Sequence, residues 1–156
     1  VMQDVDAVFA YHCSSMVPLG TIATTVGATS ASVAKYDVVI HGKGGHICNP
    51  DQAMNPVPVA CTMATTINQL LSEKASPLEK AVVTVSYIHG GQRENIIAAE
   101  ATLGGSIRTF NNDLTAHLFQ KLRDVCNGVC MAYGCTCDVT TTIGYPAAIN
   151  TKKETE

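Results

Sequence analysis

Two stretches of the chain repeat apolar residues at the three- and four-residue spacing of an amphipathic helix. The first follows Asn55-Pro56, and we expect Ser76-Pro77 to end it because the residue before a proline avoids helical backbone angles. The second starts at the capping residues Asn111-Asn112-Asp113 and ends at Gly134, where a left-handed residue belongs. The apolar stripes consist of Ala60, Met63, Ala64, Ile67, Leu70 and Leu71, and of Leu114, Leu118, Leu122, Val125 and Val129. Each predicted helix therefore has one face that another element must cover.

Four further stretches alternate apolar and polar residues with period two, which is typical of strands with one buried and one open face. In the second of them we expect Val83, Val85 and Tyr87 to share the buried face. From residue 36 onward the order is strand, helix, strand, strand, helix, strand. This order predicts an α+β fold: a ferredoxin-like β-α-β-β-α-β sandwich, with a four-stranded antiparallel sheet and two helices on one face. The four stretches are Tyr36 to His41, Ala81 to Ile88, Thr102 to Phe110 and Cys135 to Ile143.

Residues 1 to about 34 lie outside this pattern. We expect a buried strand from Val5 to Tyr11, a loop through Pro18 and Gly20, and a short extended piece from Thr21 to Val26. We expect the chain to be part of a larger protein. A core strand seldom stands so close to the start of a chain, and the other end stops after apolar residues with no further element to close the fold.

The composition is that of a folded globular domain. The 156 residues are 46% hydrophobic and 15% charged, and the net charge of −3 gives no electrostatic reason to expect nucleic acid or an anionic membrane as a partner. No apolar run approaches the roughly 20 residues of a membrane helix, and the start lacks a secretory signal. Seven cysteines in this context favour reduced thiols, so we expect a cytoplasmic protein.

His46 ends the loop Gly42-Lys43-Gly44-Gly45-His46, which has three glycines in four positions. Such a loop lets backbone approach a ligand closely, and a histidine at its end can donate a proton or a hydrogen bond near neutral pH. The same pattern also fits a flexible surface turn that ends in a histidine. The loop lacks the Gly-Lys-Ser/Thr ending of a phosphate-binding P-loop.

Two polar residues elsewhere are candidates for binding a substrate. Arg108 stands on the open face of the third predicted strand, where it could hold a carboxylate with two parallel hydrogen bonds, or pair with a neighbouring acid. The Asn95 amide lies between two strands and could bind a substrate carbonyl, although asparagine also serves the backbone of turns.

Metal chemistry has two candidate sources in the sequence. His12, followed by Cys13, could be one ligand, but zinc takes three or four protein ligands and no further ligand motif accompanies it. The cluster Cys126, Cys130, Cys135 and Cys137 could hold a structural zinc ion. Because its spacing matches no zinc knuckle, we favour buried cysteines that fill the core.

With these residues in place, the chain resembles the aminoacylase and carboxypeptidase-like metal-dependent amidohydrolases. The resemblance is greatest to the branch with hippurate hydrolase, N-acyl-amino-acid amidohydrolases and indole-acetyl-amino-acid hydrolases. It runs over nearly the whole chain, and the departures from the family pattern include Asp51 after Pro50 and Ala98 after Ile97. The matching pieces, in order, are Val5-Asp6-Ala7 before His12, Pro18-Leu19-Gly20-Thr21-Ile22-Ala23, Gly42-Lys43-Gly44-Gly45-His46 before Pro50, Asn95-Ile96-Ile97, Gly105-Ser106-Ile107-Arg108-Thr109, and Tyr145-Pro146-Ala147 before Asn150.

The resemblance implies a two-domain enzyme that cleaves the amide bond of N-acyl amino acids or small peptides with a metal-activated water. Residues 1–34 would belong to the catalytic domain, 35–145 to a lid or dimerisation domain that forms a homodimer, and 146–156 to the return segment. Two divalent ions, zinc or manganese, would be held by the full enzyme and none by this segment, which we expect to be inactive alone.

The resemblance also implies a role for each candidate residue. His12 would be a metal ligand, and His46 a catalytic residue that stabilises the oxyanion, often in the partner subunit. Asn95 and Arg108 would bind the substrate, Arg108 through its carboxylate. The alternative function is a stand-alone ferredoxin-like module that dimerises or binds a ligand without catalysis, and metal-ligand motifs in the flanking sequence would decide between the two.

Overall fold

The computed structural model describes residues 4–74 and 80–155, with side chains for 4–69 and 80–155. These residues form a two-layer sandwich in which two long helices cover one face of a four-stranded sheet. The strands are β1 (Gly27–Ser30), β2 (Ala34–His41), β3 (Gly45–His46), β4 (Ala81–Gly90), β5 (Ile96–Ile97), β6 (Glu100–Thr109), β7 (Thr136–Ile143) and β8 (Ala148–Asn150). The helices are α1 (Pro56–Lys74), α2 (Asn112–Tyr133) and α3 (Lys152–Thr155), with a 3-10 turn at Pro50–Gln52.

The main sheet is antiparallel throughout, with the strand order β4-β6-β2-β7. Along the chain its parts follow the order β2-α1-β4-β6-α2-β7, so the predicted ferredoxin-like sandwich is confirmed. Central strand β2 alternates buried and exposed residues, and its buried Val38 pairs with Leu103 on one side and Val139 on the other. The period-two pattern thus places the apolar side chains of neighbouring strands on the face that the helices cover.

Helix α1 begins at Pro56 as the sequence predicts. Of its apolar stripe, Ala60, Met63 and Ile67 are fully buried and Ala64 nearly so. The side chains of Leu70 and Leu71 and the predicted stop at Ser76-Pro77 lie outside the described residues.

Helix α2 has both of its predicted ends. The Asn111 side chain accepts hydrogen bonds from the backbone N–H groups of Asp113 and Leu114, and Gly134 ends the helix with a φ of 70°. Its buried face continues through Cys126 and Cys130, while Val125 and Val129 are only partly buried. The sequence pattern predicted that the two valines would be buried in the core, but the two cysteine side chains take that place.

The prediction that Tyr87 lies on the buried face is wrong, because β4 contains a bulge. Val85 pairs with Gly105, whereas Tyr87 pairs with the next residue, Gly104, so that Ser86 is an extra residue in β4. An extra residue reverses the alternation of the side chains that follow. Tyr87 consequently lies on the open face, where its hydroxyl donates a hydrogen bond to Asp37.

The predicted buried strand from Val5 to Tyr11 is also wrong. The segment forms no strand, and its apolar side chains are exposed, with Phe9 at 77%. The physical reason is that no other described segment lies alongside it to pair with its backbone. The first strand is instead β1, which pairs with β8. None of the described helices is long and apolar enough to span a bilayer.

Candidate functional site

One end of the main sheet surrounds an open cavity of about 950 Å³. It lies where β2 and β4 end and β6 begins, and its lining includes the three histidines His41, His46 and His89. Concave sites of this size with a few convergent polar groups are the usual place of ligand binding.

The glycine loop leaves β2 and is held on both sides by backbone hydrogen bonds. Gly42 donates to the Ala99 carbonyl at 2.8 Å, and Lys43 and Met54 exchange two bonds of 2.9 and 2.8 Å. A Cβ at Gly42 would collide with the Met54 carbonyl and the ring of Pro56. This glycine is therefore required by close packing of the chain against itself, and the loop has a defined conformation.

His46 lies at the end of the loop, in β3, and is exposed to solvent. Its Nδ1 accepts a hydrogen bond of 3.2 Å from the backbone N–H of Cys48. In the neutral ring an accepting Nδ1 places the proton on Nε2. The local backbone thus leaves His46 with an Nε2–H donor available at the cavity.

Asn95 is brought next to His46 by the pairing of β3 with β5. His46 pairs with Ile96, and the Asn95 carbonyl accepts a hydrogen bond of 3.2 Å from the N–H of Ile47. Within the described residues the exposed Asn95 side chain has no hydrogen-bond partner. Two of the predicted site residues are thereby placed together.

Arg108 is not brought to this end of the sheet. It lies eight residues beyond Glu100 on β6, a strand length of about 27 Å at roughly 3.4 Å per residue. Its Nη1 donates to the Ser32 carbonyl at 3.5 Å, and no carboxylate pairs with it in the part of the chain that the structure describes. The paired-acid alternative therefore has no support, and one chain does not place Arg108 beside His46.

His12 lies in the exposed segment before β1, and its Nδ1 donates to the Cys13 carbonyl at 2.6 Å. Residues 4–74 and 80–155 contain no group of three or more His, Cys, Asp or Glu side chains that could hold a metal ion. The residues present therefore do not fit a complete metal centre, and His12 could supply only one ligand of such a centre.

The cysteine cluster belongs to the core. Burial raises the pKa of both the Cys126 and the Cys130 thiols to about 12, and the Cys135 thiol donates to the Met54 sulfur at 3.1 Å. Such thiols are protonated and poor ligands or nucleophiles at neutral pH. Their arrangement agrees with the core-filling interpretation.

A polar cluster at the rim of the cavity was not predicted from the sequence. His41, the last residue of β2, lies 3.0 Å from a Glu100 oxygen and 2.9 Å from an Asp138 oxygen. The hydrogen bond to Asp138 raises the pKa of His41, and Glu100 adds to the effect. The only signal in the sequence was that His41 directly precedes the glycine loop, because both carboxylates are far away along the chain.

The ferredoxin-like sandwich and the cavity at one end of its sheet define an α+β domain with a candidate ligand-binding site. The comparison with known families confirms the family that the sequence resembles. Residues 29–133 match the peptidase dimerisation domain, M20_dimer. Because this match covers well over half of the chain, the chain belongs to that M20 family.

Named relatives agree with this assignment. The chain is 35% identical to N-acetyldiaminopimelate deacetylase of Bacillus subtilis, over 97% of this chain and 40% of the relative. It is 33% identical to IAA-amino acid hydrolase ILR1-like 2 of Arabidopsis thaliana, over 90% of this chain and 32% of the relative. It shares the fold of the Bacillus subtilis YXEP protein, a dinuclear metal binding peptidase from the M20 family, with a TM-score of 0.69 at 23% identity, over 92% of this chain and 35% of that one. The chain thus spans about 40% or less of these relatives.

Proposed function

We propose that this chain is the dimerisation domain, with its flanking connections, of a metal-dependent amidohydrolase that cleaves the amide bond of N-acyl amino acids or small peptides. The named relatives, a deacetylase and an amino acid hydrolase, act on bonds of this kind by their names. The observation that carries the proposal is that His46 lines the cavity and pairs with Ile96, the neighbour of Asn95. His46 and Asn95 each have a polar side-chain group that makes no hydrogen bond within the described residues.

These two side chains suit the carbonyl of a scissile amide. As the carbonyl is attacked, negative charge develops on its oxygen, and fixed hydrogen-bond donors stabilise that charge more than they stabilise the substrate. The Nε2–H of His46 would be such a donor, which makes it the catalytic residue of this domain. The Asn95 amide would bind and orient the substrate beside it.

Arg108 would bind the free carboxylate of the substrate, for which a guanidinium on a rigid strand is well suited. A single amino acid derivative is far too small to span the sheet from Arg108 to His46. The two residues can therefore serve one substrate only if they come from different subunits.

Strand β4 offers an interface that would bring them together. It is an edge of the main sheet, with Val82 beside Arg108 at one end and Gly90 beside the cavity at the other. Exposed edge strands are templates for pairing, and a two-fold axis pairs two copies antiparallel. A homodimer joined through β4 would place the cavity of one subunit near Arg108 of its partner.

The rest of the protein would supply the metal centre. We propose two divalent ions, zinc or manganese, with His12 as one ligand and the others from parts of the protein beyond this chain. The antiparallel pairing of β1 with β8 supports the proposed division into residues 1–34, 35–145 and 146–156, since it brings the connections before and after the sandwich together. Seven free thiols support a cytoplasmic location.

The test uses the full-length protein on a panel of N-acyl amino acids, with and without a chelator. We expect chelator-sensitive hydrolysis by the wild type, and a KM raised about 10- to 100-fold in Arg108→Ala for substrates with a free carboxylate. The matched control is the same panel with the carboxylate converted to an amide, on which Arg108→Ala should lose little. No hydrolysis of any panel member by the metal-loaded wild type would contradict the proposed function.

A further inference from the structure

His41 lies where two segments leave the main sheet together. We call residues 42–46 and 95–99 the two arms. The first carries His46 at the cavity, and the second carries Asn95 and the cavity-lining residues 96–99. The first arm follows His41 and the second ends just before Glu100, and these two residues pair directly in the register of β2 with β6.

Both ring nitrogens of His41 contact carboxylates. Nδ1 is 3.0 Å from Glu100 Oε1, and Nε2 is 2.9 Å from Asp138 Oδ2. A neutral imidazole has a single N–H and can donate to only one of these acceptors, whereas an imidazolium donates to both. The geometry is therefore that of a protonated histidine joining three neighbouring strands, β6, β2 and β7.

We propose that His41, as an imidazolium, is a positioning residue that fixes the base of the two arms and so the placement of His46 and Asn95. Whether His41 bridges Glu100 and Asp138 can be tested without measuring the activity of the protein. Its consequence for catalysis rests on the proposed function.

Among the described residues, few other titratable groups lie at this end of the open face, since Lys35 and Arg108 lie toward its opposite end. His89 lies on β4, beyond β6, where it stacks on Tyr87 with ring centroids 5.1 Å apart, and Lys43 lies in the first arm. Asp37, further back on β2, accepts from Tyr87. Within the described residues none of these forms an ion pair with His41, and the helices lie against the opposite face. The two carboxylates are thus the groups that set its charge.

Because the pKa of His41 is raised, the bridge should weaken as pH rises. The bridge is complete below about pH 6.5, the ordinary histidine pKa, and is lost as pH rises through the raised value. The Glu100 and Asp138 side chains are 62% and 79% exposed, so water and salt screen the ion pairs. We therefore expect loss of the bridge to lower activity about threefold to tenfold, not to abolish it.

The first experiment follows the histidine resonances of this chain by NMR during a pH titration. We expect the pKa of His41 to lie above the ordinary histidine value, and to fall in both Glu100→Gln and Asp138→Asn. We also expect His41→Gln to shift the backbone amide signals of both arms, with His117→Gln as the matched control. A His41 pKa no higher than the ordinary histidine value of about 6.5, or unchanged arm signals in His41→Gln, would overturn the proposal.

The second experiment measures kcat/KM against pH for the full-length protein. The wild type and His117→Gln should lose activity as pH rises through the His41 pKa found by NMR, and His41→Gln should be reduced at low pH and lack that step. A step retained in His41→Gln would overturn the positioning role. If the wild type hydrolyses nothing, the proposed function fails, whereas the NMR experiment still decides whether the bridge exists.

Discussion

Thr84 and Gly105 approach each other so closely across β4 and β6 that the Thr84 carbonyl oxygen occupies the place of a Cβ at residue 105. The neighbouring Gly104 is covered on the open face by the ring of Tyr87. The bulge between Val85 and Tyr87 accounts for both approaches, because it brings β4 into a new register opposite these glycines. A side chain at residue 105 would thus meet the backbone of a paired strand, whereas one at residue 104 would meet a side chain that can move.

This difference predicts unequal effects of alanine at the two positions. Gly105→Ala should lower the free energy of unfolding by about 3 kcal/mol, since the obstacle is the backbone of a paired strand. Gly104→Ala should cost about 1 kcal/mol, because the partly exposed Tyr87 ring can move aside. Urea unfolding of both variants gives the comparison, and equal losses would show that the bulge relaxes around either methyl group.

The N-terminal cap of α2 predicts a second stability effect. Asn111 accepts from two backbone N–H groups at 2.9 and 3.4 Å, and Asn111→Ala leaves both without this acceptor. The expected loss is about 1 kcal/mol of unfolding free energy, the usual value for a cap of this kind. Asn112→Ala, one residue further on, is the control and should change the unfolding free energy far less. A loss of similar size in both would contradict the capping role.

The separation of Arg108 from His46 predicts complementation between subunits. If each substrate site takes His46 from one chain and Arg108 from its partner, a mixed dimer of His46→Ala and Arg108→Ala contains one intact site. Random mixing makes half of the dimers mixed, so about a quarter of the wild-type activity should return. The measurement is kcat/KM after denaturing and refolding the two full-length variants together. Activity no higher than the average of the two variants would contradict a shared site.

The environments of the cysteines predict two classes of thiol. Cys13, Cys48 and Cys61 are exposed, whereas Cys126 and Cys130 are buried and their pKa is raised to about 12. Because the thiolate is the reactive form, a thiol reagent at pH 8 should modify the first three quickly and these two only after unfolding. Mass spectrometry of the labelled chain checks this, and rapid labelling of Cys126 in the folded state would contradict the buried position.

Much of this protein was readable from local sequence patterns. The strand and helix order, the cap at Asn111, the left-handed Gly134 and the family were all confirmed, because period-two and helical repeats and capping depend on residues close together in the chain. The roles of His12, His46, Asn95 and Arg108 stay predictions.

Only the tertiary structure decided which of the polar residues meet. One extra residue in β4 turned Tyr87 onto the open face, and the length of β6 set Arg108 at the far end from the cavity. The bridge of His41 joins residues 59 and 97 positions apart in the chain. Such contacts depend on strand register, which the pairing of whole strands sets and which no local repeat of apolar and polar residues records.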